Sequence, residues 1–216
     1  MKLQLYCITC KRTDISYEEQ VEQACKGGAD AIQFRDKTLS AREILETGKK
    51  LKEICQENKV LFLLNDRPDL ALALDADGIH LGADDVPLFW ARQILGGRKI
   101  IGCTVSSLGQ ALAAAKEGVQ YLAVGPVYRP ADKHRKEEQS IDLVRMVKER
   151  VKVPVIATGG ITPENVEEVM RAGADGVAAT RSLCGARLIT QSVAEMKQKI
   201  VNIIGQRVQE KNYDNF

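Results

Sequence analysis

The chain contains no run approaching the roughly 20 apolar residues that a bilayer span requires. Its first residues hold Lys2 and a polar-interrupted strand pattern where a signal peptide would carry an apolar block. Both absences argue against a membrane or secretory role and set the expectation of a cytoplasmic protein. An excess of charge of one sign is missing as well. Thirty-one basic residues face 29 acidic ones, for a formal charge of +2, too balanced for a chain that coats nucleic-acid phosphates or anionic membranes, so any basic site is local. The six cysteines (Cys7, Cys10, Cys25, Cys55, Cys103, Cys184) are scattered, unlike the disulfide framework of a short secreted chain, and read as reduced thiols. Cys7 and Cys10 form a CxxC, but no second Cys or His pair completes a tetrahedral zinc set, and they lie in the apolar run Leu3–Cys10. Packing is the expected role of such thiols.

What the chain does have is enough length and apolar content for a core. With 216 residues, 44% of them hydrophobic and 28% charged, it can bury roughly 70% of its extended-chain surface without a metal or disulfide scaffold. A self-similar phrase recurs four times: Gly27-Gly28-Ala29-Asp30-Ala31-Ile32, Ala76-Asp77-Gly78-Ile79, Gly118-Val119-Gln120-Tyr121-Leu122 and Gly173-Ala174-Asp175-Gly176-Val177. Each copy follows apolar residues at helical spacing, such as Val21, Ala24 and Cys25, and leads into a short β-branched run, the αβ half of a parallel unit.

Extended along the chain, the pattern predicts strands near 3–9, 31–35, 61–65, 78–82, 100–105, 121–126, 154–158 and 176–180. Helices are predicted near 16–27, 40–57, 68–75, 87–96, 107–117, 140–150, 163–172 and 188–204. Strands such as Leu61-Phe62-Leu63-Leu64 are apolar without alternation, as in parallel strands covered on both faces. Eight βα units in this length predict an α/β TIM (β/α)8 barrel spanning 1–216 as a single domain, its tail from Gln209 to Phe216 frayed. An open doubly wound sheet competes, but there is no GxGxxG turn, no second domain and no internal linker.

In such a barrel the chemistry sits on the loops after the strands' carboxyl ends. Here those loops are polar: Gln33 to Lys37, Asn65-Asp66-Arg67, His80 to Asp85, Thr104 to Ser107, Tyr128 to Lys136, Thr158 to Thr162 and Thr180-Arg181-Ser182. Arg35 and Lys37, two residues apart past a strand, supply a fork and a point charge suited to a polyphosphate. Asn65, Asp66 and Asp85 offer hard oxygen ligands, and two carboxylates with a phosphate oxygen form a partial shell for Mg2+. The plain alternative for Arg35, Lys37 and Asp66 is a ring of salt bridges capping the barrel.

Gly159-Gly160 before Thr162-Pro163 exposes backbone N–H groups at a helix start where barrels hold phosphate, with Gly176 and Thr180-Arg181-Ser182 available to complete the site. The plainer reading is a tight turn before a capped helix. His80 lies within a strand and is expected to pack or bond a carbonyl. Tyr6 and Trp90 read as packing residues, and Tyr128 as a cover for a ligand.

Together these segments resemble one family, the thiamine phosphate synthases, and their near relatives the thiazole tautomerases. The resemblance runs from about Leu5 to Leu183 through Gln33-Phe34-Arg35-Asp36-Lys37, Asn65-Asp66-Arg67, Asp77 to Gly82, Gly125-Pro126-Val127-Tyr128, Gly159-Gly160-Ile161 and Gly176-Val177-Ala178. It implies a TIM barrel that joins hydroxymethylpyrimidine diphosphate to hydroxyethylthiazole phosphate, giving thiamine phosphate and pyrophosphate. By that resemblance Gln33 bonds the pyrimidine, Arg35, Lys37 and Asn65 hold the diphosphate, and Asp66 and Asp85 ligate Mg2+. Thr104, in place of the family's usual Ser, keeps a hydroxyl near the pyrophosphate, and Lys133 matches the lysine of the sixth loop. Gly160 and backbone groups around Ser182 receive the thiazole phosphate. The partners implied are these small molecules, with no nucleic acid and no membrane; a homo-oligomer is left open.

The sequence also departs from the family pattern. Pro130 and Asp132 replace two threonines of the sixth loop, with Lys133, His134, Arg135 and Lys136 alongside. Arg181 replaces a small polar residue, and Thr158 a usual Ile. A tautomerase would need a histidine where Ser106 stands and tends to lose the carboxylates kept as Asp66 and Asp85, so a transferase is favoured. A silent barrel that binds a phosphorylated metabolite is the reading from a different class.

Overall fold

The structure is a computed structural model that describes residues 3–128 and 138–213. In chain order its elements are β1 (Leu5–Ile8), α1 (Tyr17–Lys26), β2 (Ala31–Phe34), α2 (Ala41–Glu57), β3 (Leu61–Asn65), α3 (Pro68–Ala73), β4 (Gly78–Leu81) and α4 (Leu88–Leu95). The second half runs β5 (Ile100–Val105), α5 (Leu108–Lys116), β6 (Tyr121–Val124), α6 (Glu138–Arg150), β7 (Val155–Thr158), α7 (Val166–Arg171), β8 (Gly176–Ala179) and α8 (Ile189–Tyr213). The strands pair in parallel in sequence order, and β1 closes on β8 through Leu5↔Val177, Tyr6↔Ala178 and Cys7↔Ala179. That closure excludes the open sheet, since an open sheet would leave β1 and β8 as edges.

The recurring Gly-Ala-Asp phrase has a physical role at the amino-terminal end of the strands. Asp30 accepts the backbone N–H groups of Gln4 and Leu5 at 3.1 and 2.8 Å, Asp77 that of Phe62 at 2.8 Å, and Asp175 that of Val155 at 2.8 Å. In the third copy Gln120 takes the aspartate's place and accepts from Ile101 at 2.8 Å. Each copy thus satisfies a donor at the start of the preceding strand, where the ladder leaves it unpaired. The opening turns of the helices are equally specific. Ser16 with Glu19 and Ser40 with Glu43 form capping boxes at α1 and α2.

Two apolar layers result. One lies between strands and helices, where α2, for instance, buries Ile44, Gly48, Leu51 and Cys55 along one face. The other fills the barrel itself with Leu3, Tyr6, Ala31, Leu63, Tyr121, Ala123, Ile156 and Ala178. Gly102 is required there, because a Cβ would stand 2.0 Å from the Tyr121 ring.

Three expectations change. α8 continues to Tyr213, past the predicted end near 204: Val193, Met196, Ile200 and Ile203 bury one stripe, and the Arg207 guanidinium bonds the Ala174 carbonyl at 3.0 Å. α7 begins at Val166, three residues after its predicted start, because the Asn165 side chain grips the Thr162 N–H and the Gly160 carbonyl in a turn. Trp90 does not pack in the core; it and Phe89 are each 59% exposed and touch edge to face. The cysteines carry no disulfide, with Cys7 buried and Cys10 partly so.

Candidate active site

At the carboxyl ends of the strands a cavity of about 220 Å3 is lined by Ile8, Gln33, Arg35, Lys37, Asn65, Asp66, His80, Gly82, Asp85, Thr104, Thr158 and Thr180. Most are alternate residues at strand ends, and period two along a strand sends alternate side chains inward. A larger hollow of about 880 Å3 opens at the opposite end beside Asp30 and Gln120. Those two groups are already engaged by strand N–H donors, so size does not decide the site; convergent chemistry does.

The β2–α2 loop presents two cations. Its hub is Asp36, which accepts the Thr38 N–H at 2.6 Å, the Thr38 hydroxyl at 2.7 Å, the Leu39 N–H at 3.0 Å and the Tyr17 hydroxyl. Burial would raise the Asp36 carboxyl, but these bonds outweigh it and hold the pKa at about 2. Asp36 therefore remains an anion that folds the loop, with Arg35 and Lys37 on either side. The Arg35 N–H is fastened to the Thr9 hydroxyl at 3.0 Å.

The salt-bridge ring does not form. Lys37 Nζ lies 3.5 Å from Asp66, whereas Arg12–Asp14 and Arg67–Asp69 pair inside their own loops. Arg35 makes no ion pair among the described residues, which leaves a guanidinium fork open toward the cavity it lines.

Asp66 is held in the left-handed region, at φ +66°, an uncommon conformation for a non-glycine residue that persists only where its surroundings enforce it. Here the enforcement is visible: its N–H bonds the His80 carbonyl at 3.0 Å, and the next N–H, of Arg67, bonds the Asn65 carbonyl at 2.8 Å. Asp85 accepts the Gly82 N–H at 2.5 Å. The two carboxyls interact directly. Burial, then the bond to Asp85 and its charge, push Asp66 up to about 6 despite Lys37. Burial would raise Asp85 too, but the bonds from Asp66 and Gly82, with Lys37 nearby, hold it below the usual range. Two carboxyls that resist being charged together make an arrangement short of positive charge. Among the described residues no three His, Cys, Asp or Glu side chains gather as a metal cage. The pair nevertheless fits a hard divalent ion that keeps waters and substrate phosphates as its remaining ligands, which is the habit of Mg2+.

The cavity floor holds side chains that sequence reading undervalued. Gln33 donates to the Tyr6 hydroxyl at 2.7 Å, the Tyr6 and Tyr121 hydroxyls share a bond of 3.1 Å, and His80 bonds Tyr121 through Nδ1 and Thr104 through Nε2, both at 2.9 Å. Tyr6 is therefore more than packing, and His80 bonds hydroxyls instead of a carbonyl. Burial pushes His80 down to about 4, so the ring is neutral. The signal was present in the sequence: Gln33, His80 and Tyr121 share inward parity with Tyr6 once the strands are in register.

The residues expected to bind a second phosphate sit elsewhere. Gly160, Arg181 and Ser182 do not line the cavity. Gly159 and Gly160 have φ +91° and +65°, and Cβ atoms there would strike Pro126 and Tyr128 at 2.6 and 2.5 Å. Both glycines are thus required for the β7 loop to pass under the β6 loop. The Ser182 hydroxyl donates to the Ile161 carbonyl at 2.6 Å and ties the β8 loop to the β7 loop, while Arg181 is exposed. The Thr162 N–H, expected to be open to an anion, is taken by Asn165. The Tyr128 hydroxyl bonds Glu168 at 2.9 Å. Lys133, with Pro130, Asp132, His134, Arg135 and Lys136, lies outside the described residues.

Residues 5–183 match the family described as thiamine monophosphate synthase. The chain belongs to that family. Among its relatives, the thiamine-phosphate synthase of Pyrococcus furiosus is 39% identical over 204 residues, covering 94% of this chain and 98% of the relative. The thiamine-phosphate synthase of Clostridium acetobutylicum is 36% identical over 194 residues, covering 89% and 92%. A solved thiamine phosphate pyrophosphorylase from Pyrococcus furiosus superposes with a TM-score of 0.86 at 40% identity, covering 94% of this chain and 97% of that one. A geranylgeranylglyceryl phosphate synthase from Thermoplasma acidophilum, at 19% identity and a TM-score of 0.68, shares the fold alone. The matched segment of the thiamine monophosphate synthase family includes every cavity residue, from Ile8 to Thr180. No described helix is long and apolar enough to cross a membrane.

Proposed function

We propose that this protein is a thiamine-phosphate synthase: a transferase that joins hydroxymethylpyrimidine diphosphate to hydroxyethylthiazole phosphate and releases pyrophosphate. The observation that carries the reading is a fork of positive charge with no acidic partner among the described residues, Arg35, lining the cavity where Lys37, Asn65, Asp66 and Asp85 also converge. A diphosphate placed there meets Arg35, Lys37 and the Thr104 hydroxyl, and the pyrimidine rests on Gln33. Asp66 and Asp85 would hold Mg2+, which when bound supplies positive charge to a leaving pyrophosphate. Arg35 and Lys37 stabilise the charge that grows on the departing oxygens as the carbon–oxygen bond breaks. The pyrimidinylmethyl cation left behind is captured by the thiazole nitrogen, forming the new carbon–nitrogen bond. No proton has to move in that step, consistent with a neutral, hydrogen-bonded His80 on the cavity floor.

The tautomerase reading loses support at the fifth loop. Ser106, where a histidine would be needed, uses its N–H and hydroxyl to bond Gln110 at 2.8 and 3.2 Å. Pyrophosphate release is the test. The purified chain given both substrates and Mg2+ should release one pyrophosphate per thiamine phosphate formed. Folded protein that binds a thiazole phosphate without Mg2+ and releases nothing would establish the silent binder instead.

A further inference from the structure

Five side chains from five strands form one continuous hydrogen-bond chain beneath the cavity: Gln33 on β2, Tyr6 on β1, Tyr121 on β6, His80 on β4 and Thr104 on β5. Its two ends, Gln33 and Thr104, line the cavity, whereas Tyr6 and Tyr121 are fully buried. A neutral imidazole donates from one ring nitrogen and accepts at the other, and each phenol carries one proton that rotates to suit its neighbours. Protons can therefore fill the chain without a gap in only two ways. In the first, every bond runs toward Thr104: the Gln33 amide donates to Tyr6, Tyr6 to Tyr121, Tyr121 to His80 Nδ1, and His80 Nε2–H to Thr104. The cavity then meets the Gln33 carbonyl as an acceptor and the Thr104 hydroxyl as a donor. In the second, every bond is reversed, so Gln33 offers N–H and Thr104 offers only lone pairs. Any mixture strands a buried proton or sets two lone pairs face to face.

We propose that Tyr6, Tyr121 and His80 are positioning residues that lock the polarity of Gln33 to that of Thr104. A diphosphate oxygen accepting from Thr104 selects the first orientation and so commits Gln33 to accept from an N–H on the ring that carries the diphosphate. The proposal rests on the synthase reading, which places diphosphate at Thr104 and the ring at Gln33. It adds that recognition at one end depends on occupancy at the other, through two phenols buried beneath the cavity and the His80 ring between Tyr121 and Thr104.

The chain has two histidines, His80 and His134, so 15N-histidine labelling of the full-length protein, with H134Q for assignment, reads the His80 tautomer directly. Pyrophosphate with Mg2+ is the probe, its binding followed by calorimetry. The saturated protein should carry the His80 proton on Nε2. Tyr121→Phe keeps the ring that fills the space at Gly102 and deletes only the bridging hydroxyl. It should mix the tautomers and raise KM for the pyrimidine diphosphate on the order of tenfold, the worth of one hydrogen bond, leaving KM for the thiazole phosphate within about twofold. A purely structural role would lower the Tm and shift neither the tautomer nor one KM alone. Pyrophosphate binding with the proton on Nδ1 overturns the proposal, as does a Tyr121→Phe protein with unchanged tautomer and unchanged KM values. If Tyr121→Phe fails to fold, Tyr6→Phe breaks the chain one link earlier and is judged by the same two readouts. Absence of pyrophosphate binding would instead refute the placement of diphosphate at this rim, and the proposal with it.

Discussion

Taking the metal-free protein from pH 7 to pH 4 sets a buried group, His80, against a half-buried one, Asp66. His80 is held at about 4 instead of the ordinary 6.5, so in this range the unfolded chain binds the extra proton. Stability is fully present above 6.5 and is lost as pH falls toward 4; a difference of about 2.5 pH units at about 1.36 kcal/mol each gives roughly 3 kcal/mol. Asp66 acts in the opposite sense. Its pKa is raised from 3.8 to about 6, so the folded state binds the proton and stability is gained as pH falls through that window. The same conversion gives about 3 kcal/mol, which solvent screening at this partly exposed rim reduces to about 1 kcal/mol. The carboxyls of Asp36 and Asp75, both lowered to about 2, lose their contribution only below about pH 4 and stay outside the window. The native protein should therefore lose about 2 kcal/mol between pH 6.5 and 4. His80→Gln should reverse the sign, gaining about 1 kcal/mol over the same range, and Asp66→Asn should deepen the loss to about 3 kcal/mol. Urea unfolding at pH 7, 6, 5 and 4, with EDTA, fixed ionic strength and a constant m value, measures all three. Parallel pH profiles for the native protein and His80→Gln would refute the claim that His80 is buried and neutral.

Arg35→Ala should reduce turnover on the order of 100-fold or more through lost charge stabilisation while the Tm holds, because Arg35 makes no ion pair among the described residues; steady-state kinetics beside calorimetry checks it, and equal losses in both would count against the assignment. Asp85→Asn should return the Asp66 carboxyl toward its ordinary value and abolish the Mg2+ dependence of pyrophosphate binding, seen by carboxyl-carbon NMR and calorimetry; unaltered Mg2+ dependence would remove Asp85 from the ion site. Gly102→Ala drives a methyl to within 2.0 Å of the Tyr121 ring and should cost about 3 kcal/mol, at the upper end for overpacking; a Tm within a degree of native would show that the barrel floor yields more than its packing suggests.

Much of this protein follows from local pattern. The alternation of short apolar runs with helical spacing, broken by Gly-Ala-Asp turns, is enough to predict eight βα units, because each unit must bury its strand under its own helix. In a barrel of known hand, the residues after each strand share a rim, and so Arg35, Lys37, Asn65, Asp66, Asp85 and Thr104 could be assigned to one site from their order alone. Closure decided the rest. Only the pairing of β1 with β8 turns Tyr6 inward to meet Tyr121 and His80, residues 115 and 74 positions apart from it in sequence, and makes a polar chain from side chains that look like packing. Only the loop geometry shows that Asp36 is a hub, that Arg35 keeps no acid partner among the described residues, that Asp66 and Asp85 perturb each other, that the Ser182 hydroxyl is spent on the β7 loop, and that the Thr162 N–H is taken by Asn165 within its own loop. Local periodicity sets which residues share a strand or helix face. Pairings between distant segments set which polar groups are satisfied by protein and which are left facing the cavity, and that balance is a property of the folded chain alone.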